Sequence, residues 1–150
     1  MSRCEVAAAE NSPACLVQEV VQRFGSTRIR VQGSSMLPSI RPGDEIEVQP
    51  IHFHEIETGE VIAYRRGDRL FAHRVIETDS AGRLLTRGDA MPQADAPISK
   101  SEFLGIVTRL NRGGKVVGLR RSIADRTAAA IFRRSQLCAA LFVRFTGLRG

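Results

Sequence analysis

The sequence predicts a mainly β protein: a compact antiparallel, partly barrel-like sheet assembly with a short N-terminal helix and a C-terminal amphipathic helix. Apolar and polar residues alternate with period two from residue 27 to about 119, which is typical of strands with one buried face. Turn-forming residues interrupt the alternation at short intervals, as antiparallel strands require. We therefore divide the chain into an N-terminal helix at 1–26, a β domain at 27–119 and a basic amphipathic helix at 120–150.

The N-terminal helix is predicted from its ends and from its apolar face. Ser12 can cap the helix, Pro13 suits the first helical position, and Gly25 ends it. Apolar residues recur between these ends at spacings of three and four, namely Leu16, Val17, Val20, Val21 and Phe24. This spacing indicates an amphipathic helix.

The β domain is expected to hold seven short strands joined mostly by tight turns. The alternation places these strands at 27–32, 45–49, 60–66, 69–78, 83–87, 103–109 and 115–119. Glycine-containing hairpin turns are predicted at Arg66-Gly67-Asp68, at Ser80-Ala81-Gly82 and from Asn111 to Gly114. We interpret Asp44, which follows Gly43, only as a turn residue.

The C-terminal segment from Ser122 to Phe145 has helical spacing and lies in the basic part of the chain. Residues 109–150 contain ten Lys and Arg against Asp125 alone, a net charge of +9, which leaves −3 for the first 108 residues. A basic helix with an apolar face can bind a membrane peripherally, or it can pack its apolar face on the sheet. Nucleic-acid binding is not favoured, since no helix-turn-helix and no basic strand with interleaved aromatic residues is visible.

Cysteine usage and hydropathy favour a cytoplasmic protein. Cys4, Cys15 and Cys138 are an odd number without CxxC spacing, which argues against a disulfide framework and a zinc knuckle. The N-terminus lacks the basic start and apolar stretch of a signal peptide. The longest uncharged run near the C-terminus has nine residues, whereas a membrane span needs about 20.

A serine and a histidine are the candidates for chemistry. Ser35 lies in the turn GSSMLPSIRPGDEIEV, and a serine hydroxyl becomes a nucleophile only when a nearby base takes its proton. His73 lies in the middle of a predicted strand, which would give such a base a rigid support. His52 and His54 lie in an exposed connection and lack a third metal ligand at a recognisable spacing, so we predict neither a metal site nor a cofactor.

Several short sequence boxes occur in an order that resembles the type I signal peptidase and LexA-like serine peptidase superfamily. They are Ser35-Met36-x-Pro38, Gly43-Asp44, Gly59-Glu60-Val61-Ile62, His73-Arg74-Val75, Thr86-Arg87-Gly88-Asp89-Ala90 and Asp95. The resemblance covers residues 27 to about 108. It is closer to the Ser–His branch of archaea and the endoplasmic reticulum, because His73 stands where the commoner bacterial branch has a lysine. The usual N-terminal membrane anchor of such peptidases is not expected in this chain.

The resemblance implies roles for individual residues. Ser35 matches the nucleophile, His73 the general base, and Asp95 the acid that orients the base. Asp89 matches the acid of the family's Gly-Asp box and is the alternative orienting group. Two further residues match substrate-binding positions: Met36 matches a residue that lines the substrate cleft, and Gly33 stands where some members have a serine that helps to hold the oxyanion.

The function implied is a signal-peptidase-like serine endopeptidase that cleaves a peptide or protein precursor. The family binds an extended peptide along a strand edge and favours small residues beside the scissile bond. The alternative is a catalytically inactive peptide-binding module of the same fold.

Overall fold

The computed structural model describes residues 13–119, which form one α-helix, one short 3-10 helix at Phe53–Glu55 and seven strands. The elements are α1 Pro13–Phe24, β1 Thr27–Arg30, β2 Glu45–Gln49, β3 Val61–Arg66, β4 Arg69–Thr78, β5 Leu84–Arg87, β6 Phe103–Arg112 and β7 Lys115–Val117. All seven predicted strands are confirmed, with ends that differ by at most three residues. The predicted C-terminal helix and the Ser12 cap lie outside the described residues, so the division into three parts stays a prediction.

The strands form one antiparallel sheet. Its order is β1-β2-β6-β3-β4-β5, and β7 pairs with the C-terminal half of β6. The mainly β, antiparallel class is therefore confirmed. Within residues 13–119, β1 and β5 stand at opposite ends of this order and are not paired with one another, so the sheet is not closed and the partly barrel-like shape is not confirmed.

The hairpin turns form where glycine was predicted to make them. Arg112 pairs with Lys115, which leaves Gly113 and Gly114 as a two-residue turn. Both glycines have positive φ, at 55° and 81°, a conformation that L side chains rarely adopt. The turn at Gly67-Asp68 similarly sets the register of β3 against β4, in which Tyr64 pairs with Phe71 and Ile62 with His73.

Apolar side chains pack on both faces of the sheet. The first core cluster comprises Val21, Met36, Ile40, Ile46, Val48, Val61, Ala63, Leu104, Val107 and Leu110. The second core cluster comprises Ile56, Ile62, Tyr64, Val75, Leu84 and Ile98. Consecutive residues of β3 alternate between the two clusters, as the pleat of a strand dictates. By the same alternation, His73 of β4 shares its face with Phe71 and Val75.

The helix α1 forms as predicted, but its apolar face is only partly covered. Val21 is fully buried in the first core cluster. Leu16 and Phe24 are 51% and 75% exposed, so the predicted five-residue apolar face is not a continuous contact. Gly25 ends the helix, with a positive φ of 76° and an N–H that donates to the Val21 carbonyl. No helix within residues 13–119 is long and apolar enough to cross a membrane.

Asp44 has a larger role than the turn residue we predicted. Its carboxylate is buried and accepts hydrogen bonds from the Arg112 guanidinium at 2.7 and 2.9 Å. The same guanidinium donates to the Ser39 carbonyl at 3.1 Å. The prediction was wrong because the partner, Arg112, lies 68 residues away and only the β2–β6 pairing brings it near. This ion pair ties the loop that follows β1 to β6.

Candidate active site

Ser35 lies in the loop between β1 and β2, and main-chain hydrogen bonds close this loop at its base. The Val31 N–H donates to the Asp44 carbonyl and the Gly43 N–H donates to the Val31 carbonyl, each at 2.8 Å. Ser35 itself is half-buried, whereas residues 36–38 directly after it are buried. The core therefore anchors the turn that carries the serine hydroxyl.

His73 presents its imidazole to this serine. The side chain is 5% exposed and packs edge-to-face against the rings of Tyr64 and Phe71, with centroids 6.0 and 5.9 Å away. Its Nε2 lies 2.9 Å from the Ser35 Oγ. The two aromatic rings hold the imidazole in the orientation that directs one nitrogen at the serine.

Asp95 lies on the other side of the imidazole. Its Oδ2 is 2.7 Å from His73 Nδ1 and accepts the Thr86 hydroxyl at 2.7 Å. The Asp95 N–H donates to the Thr86 carbonyl, which anchors the segment after β5. Burial opposes ionisation of this carboxyl, but the hydrogen bonds from His73 and Thr86 outweigh it and hold the pKa of Asp95 below its ordinary value. Ser35, His73 and Asp95 thus form one continuous hydrogen-bonded series.

Comparison with protein families matches residues 11–108, more than half of the chain, to the Peptidase S24-like family. The chain belongs to the peptidase S24-like family. Among curated proteins it is similar to "Inactive signal peptidase IA" of Staphylococcus aureus, for instance of strains Mu50 and COL, with 26% identity over 90 residues. The matched region is 59% of this chain and 51% of the relative, so the chain spans about half the length of the curated relatives it matches.

In this S24-like chain, the two candidate acids have different partners. The Asp89 carboxylate accepts hydrogen bonds from the Arg74 guanidinium at 3.0 and 2.9 Å and from the Ser39 hydroxyl at 2.5 Å. Asp89 and Arg74 are both buried. The carboxylate that hydrogen-bonds His73 belongs to Asp95, whereas Asp89 neutralises Arg74 and holds the serine loop through Ser39.

Tyr64 and Thr86 are site residues to which the sequence analysis gave no role, although Thr86 begins one of the sequence boxes. The Tyr64 hydroxyl lies 3.2 Å from His73 Nδ1, and Thr86 donates to the Asp95 carboxylate. Burial and the negative charge of Asp95 raise the pKa of Tyr64 well above its ordinary value, so its hydroxyl stays protonated. The two-residue turn at Gly67-Asp68 was the signal that could have found Tyr64, because it sets the β3–β4 register and places Tyr64 diagonally across from His73.

Gly88 allows the segment after β5 to approach the serine closely. The Ala90 N–H donates to the Ser35 carbonyl at 2.8 Å. A Cβ atom at position 88 would lie 2.6 Å from that carbonyl oxygen and 2.8 Å from the Met91 Cγ, closer than non-bonded atoms approach. Glycine at this position therefore preserves the position of the Ser35 main chain.

The two predicted substrate-binding residues differ in their surroundings. Met36 is 3% exposed and belongs to the first core cluster, so it supports the serine loop from inside. Its predicted role in lining the substrate cleft stays a prediction. Gly33 is exposed, and a Cβ atom there would have nothing within 4 Å. The surface beside Ser35 is therefore open at Gly33.

Among the described strands, one edge of β4 beside His73 is unpaired. β3 pairs with Arg69–Arg74, whereas β5 pairs with β4 only from Arg74 to Thr78. Val75 exchanges main-chain hydrogen bonds with Gly59 and Glu60 on the β3 side, so the even-numbered residues direct their main-chain groups to the other edge. Among the described strands, none pairs with Leu70 or Ala72 on that edge.

His52 and His54 lie together at a short helical turn and are not members of this series of hydrogen bonds. Their rings stack with centroids 5.5 Å apart. Within residues 13–119, no group of three or more His, Cys, Asp or Glu side chains is arranged to hold a metal ion.

Proposed function

We propose that this S24-like chain is a signal-peptidase-like serine endopeptidase that cleaves a peptide or protein precursor. Ser35 is the nucleophile, His73 the general base and Asp95 the acid that orients the base. The observation that supports this most directly is the series from Ser35 Oγ to His73 Nε2 and from His73 Nδ1 to Asp95, at 2.9 and 2.7 Å. This is the arrangement by which an imidazole activates a serine hydroxyl.

The proposed reaction has two halves. His73 Nε2 takes the hydroxyl proton while Ser35 Oγ attacks the scissile carbonyl carbon. The tetrahedral intermediate then collapses, its C–N bond breaks, and the imidazolium gives its proton to the leaving amine. Water next attacks the Ser35 ester with the same base assistance, which releases the carboxylate product and restores the hydroxyl. Asp95 stabilises the imidazolium that forms in each half.

The charge that develops on the carbonyl oxygen requires hydrogen-bond donors. Within the described residues, no protein acceptor takes the Ser35 N–H, while the Ser35 carbonyl is held by Ala90. We assign the Ser35 N–H as the first oxyanion donor, because Gly33 offers no side chain for this purpose. A main-chain donor anchored by the core is already oriented before substrate binds.

The unpaired edge of β4 supports an extended peptide as the substrate. Leu70 and Ala72 can pair with such a peptide through their main-chain groups, and the peptide would then pass beside His73. Strand addition recognises the main chain of the substrate, so the side-chain preference depends on the space around Ser35. The family resemblance favours small residues beside the scissile bond.

A catalytically inactive peptide-binding module is the second candidate. It is favoured by the name of the curated relatives, which describes those proteins as inactive. The same unpaired edge of β4 would serve to bind a peptide without cleaving it. The complete Ser35–His73–Asp95 series favours the peptidase.

We also propose a cytoplasmic location with peripheral membrane contact. The location is based on the cysteine usage, and the membrane contact is based on the predicted basic helix at residues 122–145, which lies outside the described residues. This segment carries four arginines, Arg126, Arg133, Arg134 and Arg144, against Asp125 alone, which suits anionic headgroups. Flotation with anionic liposomes at low salt would detect this contact.

A mixture of extended peptides with small residues at defined positions separates the two candidate functions. We expect the wild type to cleave some of these peptides, as detected by mass spectrometry of the products. Ser35→Ala should bind the same peptides without cleaving them, as measured by fluorescence polarisation. If the wild type binds these peptides and releases no product, the protein is an inactive peptide-binding module. If neither protein binds them, both proposed functions are wrong.

A further inference from the structure

The hydroxyls of Thr86 and Tyr64 lie beside the hydrogen-bonded pair of His73 and Asp95. Thr86 donates to the Asp95 Oδ2 at 2.7 Å, and His73 Nδ1 lies at the same distance from this oxygen. The Tyr64 hydroxyl lies 3.2 Å from this Nδ1. Tyr64 is 1% exposed, so its hydroxyl must find its partner inside the protein.

The chemistry of a base fixes the direction of these hydrogen bonds. His73 can take the Ser35 proton at Nε2 only if the proton of the neutral imidazole is on Nδ1. Nδ1 then donates to Asp95 and has no lone pair for the Tyr64 O–H. The ionised Asp95 carboxylate, which lies 2.7 Å from the same nitrogen, is the strongest acceptor left for Tyr64, while the Tyr64 oxygen faces the Nδ1–H.

Ring packing holds the Tyr64 hydroxyl at this place. The Tyr64 ring stacks on Phe71 with centroids 5.4 Å apart and meets the imidazole edge-to-face. The Arg66 guanidinium covers the ring at 5.6 Å from its centroid. Because the ring is held by these contacts, its hydroxyl has little freedom to turn toward another acceptor.

We propose that Tyr64 is a positioning residue of this site, whose hydroxyl donates to Asp95 and, together with Thr86, fixes the carboxylate against His73 Nδ1. This inference rests on the proposed function. With the carboxylate held by two donors, the imidazole keeps the tautomer and orientation that direct Nε2 at Ser35. Tyr64 acts through Asp95 and His73 and does not touch the reacting atoms.

The rate at which an alkyl fluorophosphonate labels Ser35 tests this role. We expect Tyr64→Phe and Thr86→Val each to lower the maximal labelling rate about tenfold, the loss that one charge-assisted hydrogen bond represents. The half-saturating probe concentration should not change. The double variant should lose less than the product of the single losses, because both residues act through one carboxylate. The downfield proton resonance of His73 Nδ1–H should shift in both single variants.

A second measurement needs no activity. Tyr64 is the only tyrosine of the chain, so 3-fluorotyrosine incorporation places one fluorine label at this position. We expect the fluorine resonance to shift in Asp95→Asn and to stay in place in Asp79→Asn, a carboxylate paired with Arg83 in the β4–β5 hairpin.

The outcomes separate this inference from the proposed function. If Tyr64→Phe is labelled at the wild-type rate and its His73 Nδ1–H resonance is unchanged, the inference is wrong. It is also wrong if the fluorine resonance is the same in Asp95→Asn as in the wild type. If Tyr64→Phe does not fold, Thr86→Val and the fluorine label decide. A folded wild type that never labels overturns the proposed function, while the fluorine response still decides the contact between Tyr64 and Asp95.

Discussion

Ser35→Ala and His73→Ala are each expected to lower kcat/KM for a cleaved peptide by about 10⁶-fold, the loss found when a serine–histidine pair is broken. Alanine at 35 removes the nucleophile, and alanine at 73 leaves the hydroxyl without a base at 2.9 Å. Both side chains act in the same proton transfer. Single-turnover measurements with excess enzyme report this loss without interference from product release.

The double variant distinguishes a joint mechanism from two separate effects. We expect Ser35→Ala/His73→Ala to be no slower than either single variant, because neither residue acts without the other. Ser34→Ala is a matched control, since Ser34 is the exposed neighbour of Ser35. Loss of activity in Ser34→Ala equal to that in Ser35→Ala, or near-normal activity in His73→Ala, would show that the nucleophile or the base is misassigned.

Asp95→Asn is expected to lower kcat by about 10⁴-fold while the fold is retained. The asparagine amide can donate to Nδ1, which favours the imidazole tautomer with its proton on Nε2. That tautomer cannot accept the Ser35 proton. The measurement is kcat for peptide cleavage, together with the urea midpoint as a check on folding.

Asp89→Asn should mainly lower the stability of the protein and have a smaller effect on its activity, the reverse of what we expect for Asp95→Asn. It removes the charge that neutralises buried Arg74 and is expected to lower the free energy of unfolding by about 3–5 kcal/mol. Its loss of kcat on the folded fraction should be far smaller than that of Asp95→Asn. If Asp89→Asn instead keeps its stability and loses the larger share of kcat, then Asp89 orients His73.

Much of the sheet could be predicted because its signals are local. Period-two alternation identified all seven strands, and glycine-containing turns separated them, so strand ends were off by no more than three residues. Ser35, His73 and Asp95 were proposed together from the order of short boxes along the chain. The structure brings these three side chains into hydrogen-bonding distance across 38 and 22 residues of sequence.

The features that were missed depend on contacts between distant elements. The choice between Asp89 and Asp95 required the position of Arg74 on β4, whose guanidinium binds Asp89. The burial of Met36 depends on how the turn after β1 enters the core. The exposure of Leu16 and Phe24 depends on how much of α1 the sheet can cover. Spacing along the chain cannot reveal these contacts, since each needs the strand order and register.

Covalent labelling of Ser35 tests the central claim most directly. A fluorophosphonate probe should add one adduct to the wild type, and peptide mapping should place it on Ser35. Ser35→Ala should gain no adduct, and His73→Ala should label far more slowly because the hydroxyl keeps its proton. A folded wild type that gains no adduct, or one whose adduct maps to Ser34 or Ser39, would contradict the assignment of Ser35 as the activated nucleophile.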